Sequence, residues 1–298
     1  MRNFDDIFNP KPKSDGPSFT SFNKDEWAAQ KKKDREQAYA LIDTTVQRMA
    51  ADGSLFQSYL DVQSRFDRYS VGNAVLITAQ LPEANKLADF KTWKESDVYI
   101  KKGETGITIL EPGEEYTRED GSIGVSYNAK KVFDVSQTNA RQQKPPMVSH
   151  DPKILLQALI HNAPCEVKIS NQLPDNVGAV YKPEEKVIMV RQGMEFADIF
   201  RSLSQELAHA HMDKGGYKRS ECAFAAYSTS YILCKRYGVP TDYFRFDRMP
   251  EGMSSMDAQT IRGELGRIRD VANDISTNMT RVLEPRERST KTRSDGAR

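Results

Sequence analysis

Residues 204–209, Ser204-Gln205-Glu206-Leu207-Ala208-His209, decide how the second half of this chain folds. The stretch follows the H-E-x-x-H pattern, in which two histidines four residues apart on one helical face bind Zn²⁺ and the glutamate acts as general base. Glu206 and His209 hold their expected positions, whereas Gln205 replaces the first histidine. A neutral amide oxygen is a poor zinc ligand compared with imidazole, thiolate or carboxylate. The pattern therefore predicts a helix and raises a metal-hydrolase hypothesis that Gln205 weakens.

A glutamate further along the chain fits the same type of site. Glu221 begins the next predicted helix, and the helix–turn–helix so formed resembles the gluzincin arrangement, in which the second helix supplies a glutamate ligand. The resemblance implies Glu206 as the general base and His209 and Glu221 as metal ligands. Two protein ligands fall short of the three that a catalytic zinc site normally has. We therefore expect no cofactor, with zinc as the alternative, and Glu206 as a catalytic residue only in that alternative.

Spacing does not place the other nearby side chains in this site. His211 lies two residues after His209, about 200° around the helix, and so points to the opposite face. His161 ends the preceding predicted helix, and His150 lies in a linker. Cys222 has two interpretations: a thiol nucleophile or metal ligand, or a small buried cysteine, which is more common.

The composition is typical of a globular protein with polar ends. Of 298 residues, 38% are hydrophobic and 29% charged, and the formal net charge is only +1. Affinity for nucleic acid would therefore come from a local basic patch. No apolar run approaches the roughly 20 residues of a membrane span, and the N-terminus lacks the apolar segment of a secretory signal. The three cysteines have no C-x-x-C spacing, which favours reduced thiols and a cytoplasmic location.

Periodicity and turn residues predict an α+β fold: N-terminal helices with a small antiparallel sheet, then a mostly helical zincin-like domain. Asp52-Gly53 separates two helices, Ser70 caps a third, and Glu119-Asp120-Gly121 marks a hairpin. We expect disorder in residues 1–35, a first domain in 36–138, a linker in 139–150 and the zincin-like domain in 151–250. An amphipathic C-terminal helix then occupies 251–284, and a basic disordered tail 285–298.

A dense set of motifs lies in the first half of the chain. It comprises residues 65–70 (RFDRYS), 80–82 (QLP), 93–94 (WK), 100–107 (IKKGETGI) and 132–138 (VFDVSQT). In this order the motifs resemble the N-terminal domain of the ArdC/LtrC-type antirestriction and mobile-element proteins, over roughly residues 52–138. The resemblance implies a domain that binds single-stranded DNA, joined to a zincin-like C-terminal domain, in a protein carried by plasmids, phages or conjugative elements.

The residue types in these motifs suit that role. Proteins that bind single strands combine cationic side chains along the phosphates with aromatic faces on which bases stack. The candidate DNA-binding residues are Arg65, Arg68, Tyr69, Asn73, Trp93, Lys94, Lys101 and Lys102. A structural interpretation stands beside this one, because Trp93 and Phe90 also suit a hydrophobic core, and Asn73 also suits a cap or a bridge to backbone.

Three functional hypotheses follow. The leading one is a cytoplasmic, non-enzymatic protein of a mobile element that binds single-stranded DNA and protects transferred DNA from restriction. The second is a zinc metallopeptidase using Glu206, His209 and Glu221. The third is a non-catalytic scaffold that binds a protein partner through the exposed face of the C-terminal helix. None of the three requires a membrane.

Overall fold

A computed structural model describes residues 24–140 and 150–284. The first half contains α1 (Lys24–Met49), α2 (Gly53–Arg65), α3 (Val71–Gln80), β1 (Leu87–Ala88), α4 (Phe90–Glu95), β2 (Ile107–Thr117) and β3 (Ile123–Asp134). The second half contains α5 (Pro152–Ile160), β4 (Glu166–Ser170), β5 (Ala179–Lys182), β6 (Val187–Arg191), α6 (Phe196–Met212), α7 (Arg219–Arg236) and α8 (Ala258–Leu283). Helices and two small sheets thus alternate along the chain, which confirms the predicted α+β class.

The first helix is longer than the sequence suggested. Residues 24–35, predicted to be disordered, form the first turns of α1. Local polar pairs support this exposed stretch: the Gln30 amide lies 2.6 Å from an Asp34 carboxylate oxygen, and Lys32 lies 3.9 Å from Glu36. The mixed charges that indicated disorder are thus arranged as i,i+4 partners on a helix. The predicted disorder of residues 1–23 and 285–298 lies outside the described residues, as does most of the predicted linker.

Two predicted helix starts are confirmed by their caps. The Asp52 carboxylate accepts hydrogen bonds from the Ser54 and Leu55 amides at the start of α2. The Ser70 hydroxyl oxygen accepts from the Asn73 amide at the start of α3. These caps fix where the chain turns between α1, α2 and α3, and thereby set how the three helices pack.

The first sheet has the strand order β1-β3-β2 and is antiparallel throughout. The predicted hairpin turn is present, with Gly121 at φ 80° and the Arg118 amide donating to the Ser122 carbonyl. β2 continues through Pro112, because an irregularity in register between Pro112 and Glu115 accommodates the proline. Ile100 forms an isolated antiparallel bridge with Thr138.

The second sheet has the strand order β4-β6-β5. β4 runs parallel to β6, and β5 pairs antiparallel with β6. α6 packs on this sheet and α7 packs on α6. The motif helix therefore lies between the sheet and the rest of the helical core.

One continuous apolar core joins the two halves. The Phe56 ring of α2 lies 5.0 Å from the Phe224 ring of α7 and 5.6 Å from the Phe246 ring, measured between centroids. α8 packs against α1 and α3 as well as α5 and α7, and buries its apolar face there. The C-terminal helix is thus confirmed, but a partner binding it would meet only its polar face. Within the described ranges, no helix is both long and apolar enough to cross a membrane.

Candidate functional site

Glu206 lies at the centre of the motif helix, and both of its carboxylate oxygens accept hydrogen bonds. Its side chain is only 4% exposed. One carboxylate oxygen accepts the Tyr181 backbone amide of β5 at 2.7 Å and an Arg219 nitrogen at 2.8 Å. The other oxygen accepts the second terminal nitrogen of Arg219 at 2.6 Å. This bidentate ion pair engages both oxygens and compensates the charge of Glu206, which lowers its strength as a general base.

His209 lies beside Glu206 in a buried position. Its Nδ1 is 2.9 Å from the Tyr217 hydroxyl, and its Nε2 has no hydrogen-bond partner. Burial lowers the pKa of His209 to about 4, so the ring is neutral at physiological pH. A neutral, oriented imidazole with an open Nε2 is the one feature of the site that suits a metal.

Glu221 does not join these residues. Its side chain is 62% exposed and pairs with Lys218 at 2.8 Å, in the first turn of α7. Arg219, two residues earlier, reaches Glu206 instead. The structure therefore does not bring the predicted ligands His209 and Glu221 together, because the start of α7 directs Arg219, and not the Glu221 carboxylate, toward Glu206.

The site as a whole does not fit a divalent cation. Gln205 offers an amide, Glu206 is committed to a guanidinium, and a second cation next to Arg219 would be repelled. In the described part of the chain, no three His, Cys, Asp or Glu side chains are grouped so that they could hold a metal.

The other candidates near the motif are also accounted for. Burial lowers the pKa of His211, and Asp274 of α8 acts against that shift. His161 ends α5, as predicted, and follows its last turn as the C-cap. Burial raises the pKa of the Cys222 thiol, which favours the inert cysteine over a nucleophile.

Sequence reasoning missed the polar network that extends from this site. The Tyr181 hydroxyl donates to an Asp213 carboxylate oxygen at 2.8 Å, and Lys186 donates to the same oxygen at 2.6 Å. The Tyr181 ring also meets the Tyr217 ring edge-on at 5.9 Å. These contacts tie β5 to the end of α6, so the residues around Glu206 form a packed, hydrogen-bonded cluster.

In the first half, two of the predicted DNA-binding residues are structural. Trp93 is 4% exposed, and its indole nitrogen donates to the Phe133 carbonyl at 2.9 Å. Asn73 is buried between α3 and β2, where its side-chain amide bonds both backbone groups of Leu110. Neither side chain can touch a nucleic acid in this fold, because each is enclosed by the sheet it anchors.

The remaining candidates differ in their exposure and in whether other groups of the protein already bind their side chains. The Arg65 guanidinium donates to the Ala84 and Pro82 carbonyls, and Lys101 donates to the Ser136 carbonyl at 2.8 Å. Tyr69 is half-buried against Phe66. Three candidates are exposed and have the freedom to follow a phosphate chain: Arg68, Lys94 and Lys102.

Two exposed aromatic side chains lie close to these lysines in the sequence. Phe90, at the start of α4, is 61% exposed, and Tyr99 is 57% exposed. Lys91 and Lys94 lie on α4 between them, and Lys102 follows Tyr99. We name Phe90, Lys91, Lys94, Tyr99 and Lys102 the α4 surface. The sequence suggests Phe90 as a core residue, but of the two aromatic residues of α4 only Trp93 is buried.

Comparison with known proteins gives a consistent result. Residues 32–146 match the family model for the N-terminal domain of anti-restriction factor ArdC. An uncharacterized protein of Bacillus anthracis is 26% identical over 233 residues, which cover 60% of this chain and 39% of that protein. The chain thus spans about two fifths of the length of that relative.

Two solved structures share the fold. The metal-free crystal structure of antirestriction protein ArdC from the R388 plasmid aligns with a TM-score of 0.52 and 18% identity, covering 71% of this chain and 85% of that one. The Mn(II)-bound structure of the same protein aligns with a TM-score of 0.53 and 15% identity, covering 81% and 97%. The fold therefore extends over both halves, whereas the family model covers the first.

Proposed function

We propose that this ArdC-like chain binds single-stranded DNA through its first half and acts in the cytoplasm as an antirestriction factor of a mobile genetic element. The observation that carries the proposal is the match of residues 32–146 to the ArdC N-terminal domain. The structures that share the fold are of a plasmid-borne protein described as antirestriction.

The α4 surface supports this proposal physically. Exposed Phe90 and Tyr99 offer two rings on which bases can stack, and each stacked base contributes about 1–3 kcal/mol. Lys94 and Lys102 lie near these two residues in the sequence and are exposed, and within the described residues no hydrogen bond or ion pair engages their ammonium groups. Lys130, by contrast, pairs with Asp89 and Glu111 at 3.0 and 2.9 Å, so its charge is neutralised.

Fluorescence anisotropy with a labelled oligonucleotide of about 20 nucleotides tests the proposal. We expect binding at low salt that weakens steeply as salt is added, and weaker binding to the matched duplex. Phe90→Ala and Tyr99→Ala should each weaken binding about 5- to 100-fold. Lys94→Ala with Lys102→Ala should also reduce the slope of log affinity against log salt, because fewer counterions are released.

Tyr116→Ala is the matched control. Tyr116 is an aromatic residue 51% exposed on the hairpin, among the acidic residues Glu114, Glu115 and Glu119, so phosphates would avoid it. We expect this variant to bind like the unchanged protein. Absence of binding at low salt would contradict the proposal, as would equal losses for Tyr116→Ala and Phe90→Ala.

We further propose that the second half is a non-catalytic, zincin-like scaffold. The support is the ion pair of Glu206 with Arg219, which places a guanidinium at the carboxylate that the H-E-x-x-H pattern reserves for general-base chemistry. The neutral Gln205 and the exposed Glu221 leave His209 without partner ligands.

Metal content decides between this scaffold and the metallopeptidase hypothesis. After equilibration with Zn²⁺ or Mn²⁺ and removal of free ions, we expect no stoichiometric metal and no metal-dependent rise in melting temperature. One bound equivalent that disappears in His209→Ala would revive the metallopeptidase. The metal content has no bearing on the loss of DNA binding expected in Lys94→Ala, so either proposal can fail without the other.

A further inference from the structure

β4 is a sheet edge that the described chain leaves open. The edge of β2 is covered by α3, whose Asn73 and Gln80 amides bond the backbone of Leu110 and Thr108. At β5, the Glu206 carboxylate accepts the Tyr181 amide. No described strand or side chain covers the outer edge of β4 in this way. The strand reads EVKIS, without the proline or glycine that would interrupt a neighbouring strand.

An apolar groove opens beside this edge. It has a volume of about 500 Å³ and is lined mainly by Leu156 and Ile160 of α5, Val167 and Ile169 of β4, and Phe196 and Ile199 of α6. In the register of the sheet, Val167 lies opposite the buried Ile188, and Ile169 opposite the buried Val190. Ile169 nevertheless remains 74% exposed, so the core between sheet and helices is open to water at β4.

We propose that β4 pairs antiparallel with β4 of a second copy of this chain, around a two-fold axis at Val167. This pairing adds the backbone hydrogen bonds that the edge lacks and places the inner faces of both sheets on one side. The residues Val167 and Ile169 of each copy then extend the apolar face of the other. The two grooves meet, and the exposed Ile160 side chains gain an apolar neighbourhood.

Charge favours this register over the two adjacent ones. With Val167 opposite its counterpart, Glu166 of each copy lies opposite Lys168 of the other, giving two opposite-charge pairs. A shift that centres on Glu166 places the two glutamates opposite each other, and one that centres on Lys168 does the same for the lysines. Within one copy, Lys168 and Glu166 already pair at 2.9 Å, but both are more than half exposed, so exchanging partners costs little.

Sedimentation and light scattering of the full chain test the pairing. We expect a dimer whose dissociation constant rises about tenfold in Lys168→Glu and in Glu166→Lys, because each change places like charges opposite each other twice. The double variant Glu166→Lys with Lys168→Glu should restore the original constant, since the pairs are merely reversed. Circular dichroism would confirm that each variant is folded.

Cysteine pairing tests the register directly. In a Cys165→Ser background, Val167→Cys should form an intermolecular disulfide under mild oxidation, because directly opposite residues have Cα atoms within about 5.5 Å. Lys168→Cys is the matched control, since its counterpart lies two residues away along the strand, beyond the roughly 7 Å limit for a disulfide.

Two results would overturn the inference. One is a protein that remains monomeric at all concentrations up to about 100 μM, since a specific dimer should have a dissociation constant well below that concentration. The other is a dimer that the charge variants leave unchanged, because its interface would then lie elsewhere. Both results are independent of DNA binding.

Discussion

At the scale of single residues, Arg219 determines what the motif helix can do. Its guanidinium holds both oxygens of Glu206, whose side chain is almost fully buried. A buried carboxylate is tolerated only when it is paired and hydrogen-bonded. The arginine therefore compensates the charge of Glu206 from within the protein, and the cluster needs no ion for that purpose.

Removing this arginine should destabilise the protein. We expect Arg219→Ala to lower the free energy of unfolding by about 2–3 kcal/mol, at the low end for a broken buried pair because the Arg219 side chain is itself 45% exposed. Adding Glu206→Gln should recover part of the loss, because no buried charge then remains unpaired. Urea unfolding of the four proteins of this cycle measures the coupling. Lys218→Ala, which breaks only the exposed pair with Glu221, should cost less than about 1 kcal/mol.

His209 should make stability depend on pH. Its pKa is about 4 in the folded chain against 6.5 ordinarily, so between these values the unfolded chain binds more protons. Stability therefore falls as the pH is lowered from 6.5 to 4, with this group contributing up to about 1.4 kcal/mol per pH unit. Urea unfolding at several pH values should show a flatter dependence for His209→Gln. A dependence equally steep in His209→Gln would contradict the argument.

At the scale of elements, helix α3 protects the edge of β2. Asn73 bonds both backbone groups of Leu110, at 2.8 and 2.7 Å, and Gln80 does the same for Thr108, at 2.9 Å each. Alternate residues of a strand direct their backbone groups to the same side. The side-chain amides of Asn73 and Gln80, seven residues apart on α3, therefore make the hydrogen bonds that a neighbouring strand would make. This explains why Asn73, a candidate for DNA contact, is buried.

Asn73→Ala should therefore affect folding and not DNA binding. The change leaves a buried amide and a buried carbonyl of Leu110 without partners, for which we expect a loss of about 2–3 kcal/mol in urea unfolding. The affinity of the folded fraction for an oligonucleotide should remain unchanged. Asn139→Ala, which removes an exposed bond to the Tyr99 amide, is the control and should cost less than about 1 kcal/mol. Normal stability with lost DNA affinity would restore Asn73 as a binding residue.

At the scale of the whole molecule, the two halves are joined through backbone as well as side chains. Gly53 begins α2, and a Cβ atom added there would lie 1.4 Å from the Phe246 carbonyl oxygen. Arg236 of α7 donates to the carbonyls of Gln63 and Ser64 at the end of α2 and to that of Ala272 in α8. With the shared aromatic contacts, these links predict that both halves unfold together.

Gly53→Ala tests whether the two halves unfold together. We expect a loss of about 3 kcal/mol or more, because the loop around Phe246 must move away from α2. Hydrogen exchange should show equal destabilisation of β3 and α6, although the change lies in α2. Gly263→Ala in α8 is the control: its Cβ meets nothing within 4 Å, so the change should stabilise the helix by up to about 1 kcal/mol. Loss of protection confined to the first half would show that the halves unfold separately.

The sequence by itself determined the local structure. The break at Asp52-Gly53, the cap at Ser70, the turn at Gly121 and the periodicity of α6, α7 and α8 predicted these elements. Breaks, caps, turns and amphipathic faces all depend on neighbouring residues. The order of motifs in the first half also predicted the ArdC-like domain.

Only the tertiary structure decided which side chains are available for function. Trp93 packs inward and Phe90 outward, because α4 is too short for its own sequence to define a buried face. Arg219 reaches Glu206, and Glu221 does not, because the turn before α7 sets which side of its first turn faces α6. The orientation of these side chains depends on contacts between residues far apart in the chain, and no local sequence pattern encodes such contacts.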